Sequence, residues 1–388
     1  MPEQTVLWGA SRSLSTEIYF HPYPQRGCCQ APLSARFPHF YSKYRNPPAQ
    51  HGRWSGLVLP VEGKIMANKR MKSLVERYKA RQGVPRIGAE YQPAIQAVKG
   101  EAPSLGRCAR IFVPRYDRAI HTLSAAETAA VTVAAAHPRI RDILEQRCLP
   151  PLPDINPIAL YPEMRGHRLP GLPGTLAVAE QCGLLAFHPS LLDDDGDELS
   201  HVPLPLVGDI LLILHDEDGL YGVNWTIKLD ESGFLERQNR RPLRRQSLVS
   251  QQKAEARLRI ETECYAQAGL PTRRITGITF DKVFVANLRM SMAWLSRPTR
   301  LTLVSQNEMI RCYRGIIDTK YTPLDLLEEL MHRFDCSRQD CLTVFYQAVW
   351  YRQLQINLFR AVLFDAPMQS AKEEWYAKYA QFFSRSGK

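Results

Sequence analysis

The chain has 388 residues, of which 45% are hydrophobic and 23% charged, and a formal net charge of +11. That is the composition of a globular protein long enough for two domains. No apolar run reaches the roughly 18 residues that span a bilayer. Nine cysteines without a Cys-x-x-Cys pattern point to a reducing cytoplasm and away from a structural zinc site.

Residues 1–65 stand apart. They carry seven Lys/Arg against three Asp/Glu, many prolines, and no helical or strand period. The segment is expected to be disordered or not translated. Glu62-Gly63 must be encoded by a purine-rich stretch resembling a ribosome-binding sequence just ahead of Met66, where globular character begins.

Residues 66–120 form a basic lead-in: a helical stretch to about Val84 with Lys69, Arg70, Lys72, Arg77, Lys79 and Arg81, then a loop-rich part. Residues 124–136 read as a helix, with Ser124 as N-cap, Glu127 at the third helical position and His137-Pro138 as the stop. A strand is predicted over 140–146, a proline-rich connection over 150–173 and a short helix over 175–182. Residues 206–214 and 220–229 are two apolar strands joined by Asp216-Glu217-Asp218-Gly219, a hairpin signal. A charged loop (230–250) leads to a helix over 252–268, ended by Gly269 and Pro271, and then to a strand over 275–285. Beyond about residue 300 the pattern turns helical: Thr322-Pro323 opens one helix, Ser337-x-x-Asp340 a second, and 356–364 fits a short hairpin. The fold class is therefore α/β (α+β) with a central mixed sheet over 121–295, followed by a small helical domain over 296–388.

One constellation carries chemistry. Asp209 opens the first strand of the hairpin and Lys228 closes the second, 19 residues later. The turn lies near the midpoint, so pairing brings both to the same end. Asn224, Thr226 and Lys228 alternate onto one face. A carboxylate and a lysine at one sheet edge, with the helix-borne Glu127 upstream, is the PD-(D/E)xK nuclease plan. Carboxylate oxygens suit Mg²⁺, which supplies Lewis acidity, while a lysine steadies water or developing negative charge. Glu127 can equally be a simple capping-box residue. Five arginines, Arg237, Arg240, Arg241, Arg244 and Arg245, crowd nine positions just after Lys228 and suit a DNA backbone.

Several segments in order resemble the TnsA family, the endonuclease subunits of heteromeric transposases. His121-Thr122-Leu123-Ser124-Ala125-Ala126-Glu127 resembles the family segment that ends in a catalytic glutamate. Asp142-Ile143-Leu144-Glu145-Gln146, and Leu176 to Ala179 with His188-Pro189, resemble its following strand and helix. Gly208-Asp209-Ile210-Leu211 and Trp225-Thr226-Ile227-Lys228 fall at its aspartate and lysine motifs. Arg257-Leu258-Arg259-Ile260-Glu261, with Tyr265 and Gly269, resembles its next helix. Together the segments span about residues 75–365.

The resemblance implies a restriction-endonuclease-like domain over 121–295 and a winged-helix-like domain over 296–388. It further implies Mg²⁺- or Mn²⁺-dependent cutting of DNA at transposon ends by Glu127, Asp209 and Lys228, with Glu127 and Asp209 as metal ligands. The implied partners are transposon-end DNA, a DDE-type transposase subunit and an AAA+ ATPase, in a bacterial cytoplasm near the nucleoid, with no membrane. Thr226 stands where the family often has an acidic residue or Gln, so a second metal would lean on backbone carbonyls or Glu261. An inactive nuclease fold that serves as adaptor between DNA and the ATPase is the alternative.

Overall fold

An unbroken apolar strand is stable only where both of its faces are covered. In the computed structural model, residues 61–103, 106–194, 199–235 and 248–385 are described. The chain runs from helix α1 (Val61–Gln82) through β1 (Ala109–Val113), β2 (Arg118–Thr122), α2 (Ala125–Ala136), β3 (Ile140–Glu145) and β4 (Cys148–Leu149) to α3 (Thr175–Gln181). Then come β5 (Ser190–Asp194), β6 (Leu199–Pro203), β7 (Leu206–Val207), β8 (Ile210–Asp216), β9 (Gly219–Lys228), α4 (Ser232–Leu235), α5 (Leu248–Gln267) and β10 (Thr272–Thr276). The rest is helical: α6 (Lys282–Met292), α7 (Leu303–Gly315), α8 (Leu327–Phe334), α9 (Arg338–Trp350) and α10 (Trp375–Lys378).

Four strands form a mixed sheet in the order β10-β9-β8-β3, with β10 parallel to β9 and the other pairs antiparallel. Strand alternation sends Ile210, Leu212, Leu214, Trp225 and Ile227 to one face, where they join α2 and the C-terminal helices. Leu211 and Ile213 go to the other face, against Ile260, Cys264 and Tyr265 of α5. The sheet is thus covered on both sides, which is why residues 210–214 tolerate no polar position. One hydrophobic cluster includes Ala130, Trp225, Phe284, Tyr313, Phe345 and Trp375, so the core runs across the change to helical structure near residue 295. No helix among the described residues is long and apolar enough to cross a membrane.

Ten of the twelve residues of α2 are buried, because small alanines let it lie close to the sheet on one side and α6 on the other. Its C-terminal His137 stacks on Phe383 at 4.1 Å and meets Trp375 and Tyr376 edge-on. Burial pushes the His137 pKa down to about 3, so it serves as a neutral aromatic that docks the C-terminal segment.

Several local expectations change. Helix α1 starts at Val61 and α5 at Leu248, both earlier than predicted. The lead-in contains an antiparallel pair, β1 with β2, turned by Pro114-Arg115-Tyr116 and the left-handed Asp117. The strand expected over 275–285 stops at Thr276, and Asp281 then caps α6 by accepting a hydrogen bond from the Phe284 N–H. Thr322 makes a turn with Asp325, and α8 begins only at Leu327. Residues 356–364 form no hairpin. Their backbone is served by the buried Asn287, which donates to the carbonyls of Leu358 and Arg360 and accepts from the Val362 N–H. Ile356, Leu358, Val362 and Phe364 are buried as an apolar strand would be, but backbone pairing is limited to a single bridge of Ile356 with Ser370, and beyond it the Asn287 side chain takes over. The capping box of Ser337 and Asp340 on α9 forms as expected. Of residues 1–65, expected to be disordered, 61–65 instead open α1; residues 1–60 and the arginine-rich loop with Arg237, Arg240, Arg241, Arg244 and Arg245 lie outside the described residues.

Candidate active site

The register decides where the chemistry collects. Glu145 pairs with Ile210, Ile210 with Trp225, and Lys228 with Thr276. The ends of β3, β9 and β10 and the start of β8 therefore meet at one end of the sheet, and Asp209 precedes β8 at that end. Its Oδ2 accepts the Ile227 N–H at 2.6 Å and lies 3.2 Å from Lys228 Nζ. Lys228 also donates to the Ile227 carbonyl, so its ammonium is held over the strand end rather than waving in solvent. The pair is about one-third and one-fifth exposed. It is reachable by a ligand, and its net contribution to stability is small.

Helix α2 brings Glu127 to the same place from one face. The N-cap bond forms, with the Glu127 N–H donating to Ser124 Oγ. The return bond differs from a regular capping box: Glu127 Oε2 accepts from the Leu123 N–H at 2.8 Å, one residue before the cap. Oε1 accepts from Ser124 Oγ and Oε2 also from Gln146 Nε2. Burial above all, and then the negative charge of Asp209, push the Glu127 pKa up to about 7, against the pull of the Leu123 N–H, Ser124 and Lys228. Glu127 is thus both a helix cap and a carboxylate close enough to Asp209 to feel its charge.

From the other face α5 brings Glu261, almost fully buried. Its Oε1 accepts from Thr226 Oγ1 at 2.9 Å and from Asn224 Nδ2 at 3.0 Å. Burial and Asp209 raise its pKa as well. Of the three residues that alternate on β9, Asn224 and Thr226 are thus spent on Glu261, and only Lys228 turns to Asp209. The residue that the spacing did not single out is Gln146, which follows β3 and touches Glu127; Asn224, placed on the Lys228 face by strand alternation, fastens Glu261.

The donors are all carboxylate oxygens, the set that suits a hard divalent cation. Among the described residues, no hydrogen bond reaches Asp209 Oδ1 or Glu261 Oε2, which leaves an acceptor free on each. Among the same residues no group of three His, Cys, Asp or Glu is drawn together as a closed cage. The fit is to an open site with one or two carboxylates, which is how Mg²⁺ is commonly held.

The raised Glu127 pKa has a measurable consequence in metal-free protein. A carboxyl shifted from 4.5 to about 7 holds its proton better when folded than unfolded. The stability it contributes is complete below about pH 4.5 and is lost as pH rises through 7, on the order of 3 kcal/mol. Glu127→Gln keeps an acceptor for the Leu123 N–H and cannot ionise. In urea melts with EDTA it should gain on the wild-type chain between pH 5 and pH 8. An offset between the two proteins that stays constant with pH would show that Glu127 is ionised freely in the fold.

The chain matches no family model and no curated protein.

Proposed function

We propose that the chain is a divalent-metal-dependent DNA endonuclease with a restriction-endonuclease-like core, the cutting subunit of a heteromeric transposase similar to the TnsA family. The observation that carries this reading is the meeting of Asp209 and Lys228, 3.2 Å apart, at the one sheet end where Glu127 also arrives. Glu127 and Asp209 would hold Mg²⁺ or Mn²⁺, with Glu261 behind them. A bound ion supplies Lewis acidity toward the scissile phosphate. Lys228, steadied by Asp209 and the Ile227 carbonyl, is placed to hold a water or to meet negative charge as it develops. Glu127 must give up its proton before it can serve as a ligand, so ion binding should release protons near neutral pH. The five arginines from Arg237 to Arg245 follow Lys228 directly and are proposed to grip the phosphate backbone. The C-terminal part, proposed to be winged-helix-like, would contact DNA and the AAA+ ATPase, and a DDE-type subunit would complete the transposase.

One observation favours a second reading. Thr226 and Asn224 are both turned onto Glu261, and no three-ligand group is closed around the site among the described residues. An adaptor that binds DNA and does not cut would look the same. A nicking assay separates the two. The full chain is incubated with supercoiled plasmid in Mg²⁺, Mn²⁺ or EDTA, and Ca²⁺ binding is followed by calorimetry. Ion binding with metal-dependent nicking is the expected result. DNA binding with neither ion binding nor nicking assigns the adaptor role, and loss of DNA binding as well removes both readings.

A further inference from the structure

Strand β3 ends at Glu145, and the next residue breaks the local rules. Gln146 has a φ of 49°, in the left-handed region that Gly enters freely and a residue with a Cβ enters only under strain. It is 3% exposed. Strained backbone persists where the surroundings hold it, and it concentrates at functional sites. What Gln adds over Gly at this position is a side-chain amide, and that amide donates to Glu127 Oε2 at 3.1 Å. The backbone of the same residue reaches the other carboxylate-bearing residue: the Gln146 N–H donates to the Asp209 carbonyl at 2.8 Å.

The far side of the residue is pinned too. Its carbonyl accepts from the Ala94 N–H and from Gln82 Nε2. Gln82, at the last position of α1, also accepts the Cys148 N–H at 2.7 Å. The backbone from 146 to 148 is therefore held between α1 and β8, with its one strained residue aimed at Glu127. Removal of the amide leaves the Glu127 carboxylate its bonds to the Leu123 N–H and Ser124 Oγ, the arrangement of a plain helix cap.

We propose that Gln146 is a positioning residue: it holds the Glu127 carboxylate toward Asp209 so that the two can share a divalent ion. This rests on the endonuclease reading above. Gln146 itself touches neither ion nor DNA.

The test uses the full chain with Gln146→Gly, Gln146→Ala and Asp209→Asn. Three readouts are taken: thermal melts in EDTA, Mg²⁺ and Ca²⁺ affinity by calorimetry, and plasmid nicking beside plasmid affinity. Gln146→Gly relieves the left-handed strain, so it should melt above Gln146→Ala. Both should nevertheless bind the ions about 10–100-fold more weakly than the wild-type chain, the usual loss when a group that orients a ligand is removed. Nicking should slow while plasmid affinity holds. A purely structural role predicts the opposite, with ion affinity following thermal stability and Gln146→Gly restoring both. Wild-type ion affinity in Gln146→Gly, while Asp209→Asn loses it, overturns the role of Gln146 alone. A wild-type chain that binds no ion, with Asp209→Asn no different, overturns the endonuclease reading and this proposal with it.

Discussion

Asp209→Asn should slow metal-dependent nicking by about 10³-fold or more and leave the fold intact. The amide oxygen can still accept the Ile227 N–H that Asp209 Oδ2 takes at 2.6 Å, so the start of β8 keeps its place. What is lost is the charge. In the wild-type chain Mg²⁺ should raise the melting temperature with concentration, as any ligand of the folded state does. In Asp209→Asn that rise should disappear. Lys228→Met makes the opposite separation. Loss of its ammonium should slow nicking by about 10²–10³-fold. Ion-induced stabilisation should stay or grow, because a positive charge 3.2 Å from Asp209 is gone. Nicking at the wild-type rate by both variants would end the endonuclease assignment.

Arg118→Ala should destabilise the chain by about 3–5 kcal/mol, the usual result of removing one partner of a buried ion pair. Arg118 Nη1 donates to both oxygens of Glu145 at 2.9 Å, and both side chains are almost fully buried. Its Nη2 donates to the Ile143 carbonyl, and Asp142 lies 3.8 Å away. Without the guanidinium, Glu145 keeps the His121 N–H as a donor but has no countercharge in a site closed to water. The double variant Arg118→Met with Glu145→Leu removes the stranded charge and should recover most of the loss. Urea melts at pH 8 measure both. A loss below about 1 kcal/mol for Arg118→Ala would mean that Glu145, whose pKa burial already pushes up to about 7, keeps a proton or meets water instead of standing charged in a dry site. The pair stands next to Gln146, so its loss should also loosen the strand end that carries the site.

The hairpin, and with it the meeting of Asp209 and Lys228, was legible because both causes are local: two apolar runs of matched length and an Asp-Gly turn at their midpoint. The N-cap of α2 was legible for the same reason, since Ser124 and Glu127 are three residues apart. Local signals failed where a distant side chain took over the backbone. Asn287 satisfies residues 358–362, so an alternating apolar pattern never becomes a hairpin. The short pair β1–β2 was missed because two five-residue strands around a proline turn carry too little period to stand out.

By itself, then, the sequence determined the apolar strands, the helix caps and the end of the sheet at which Asp209 and Lys228 meet. The tertiary structure decided which neighbours those residues have: Glu127 beside Asp209, Glu261 fastened by Asn224 and Thr226, and Gln146 bent into the left-handed region between the two carboxylate-bearing residues. Strand period and capping depend on neighbours a few positions away, whereas the surroundings of a buried carboxylate are set by layers that pack together from distant parts of the chain.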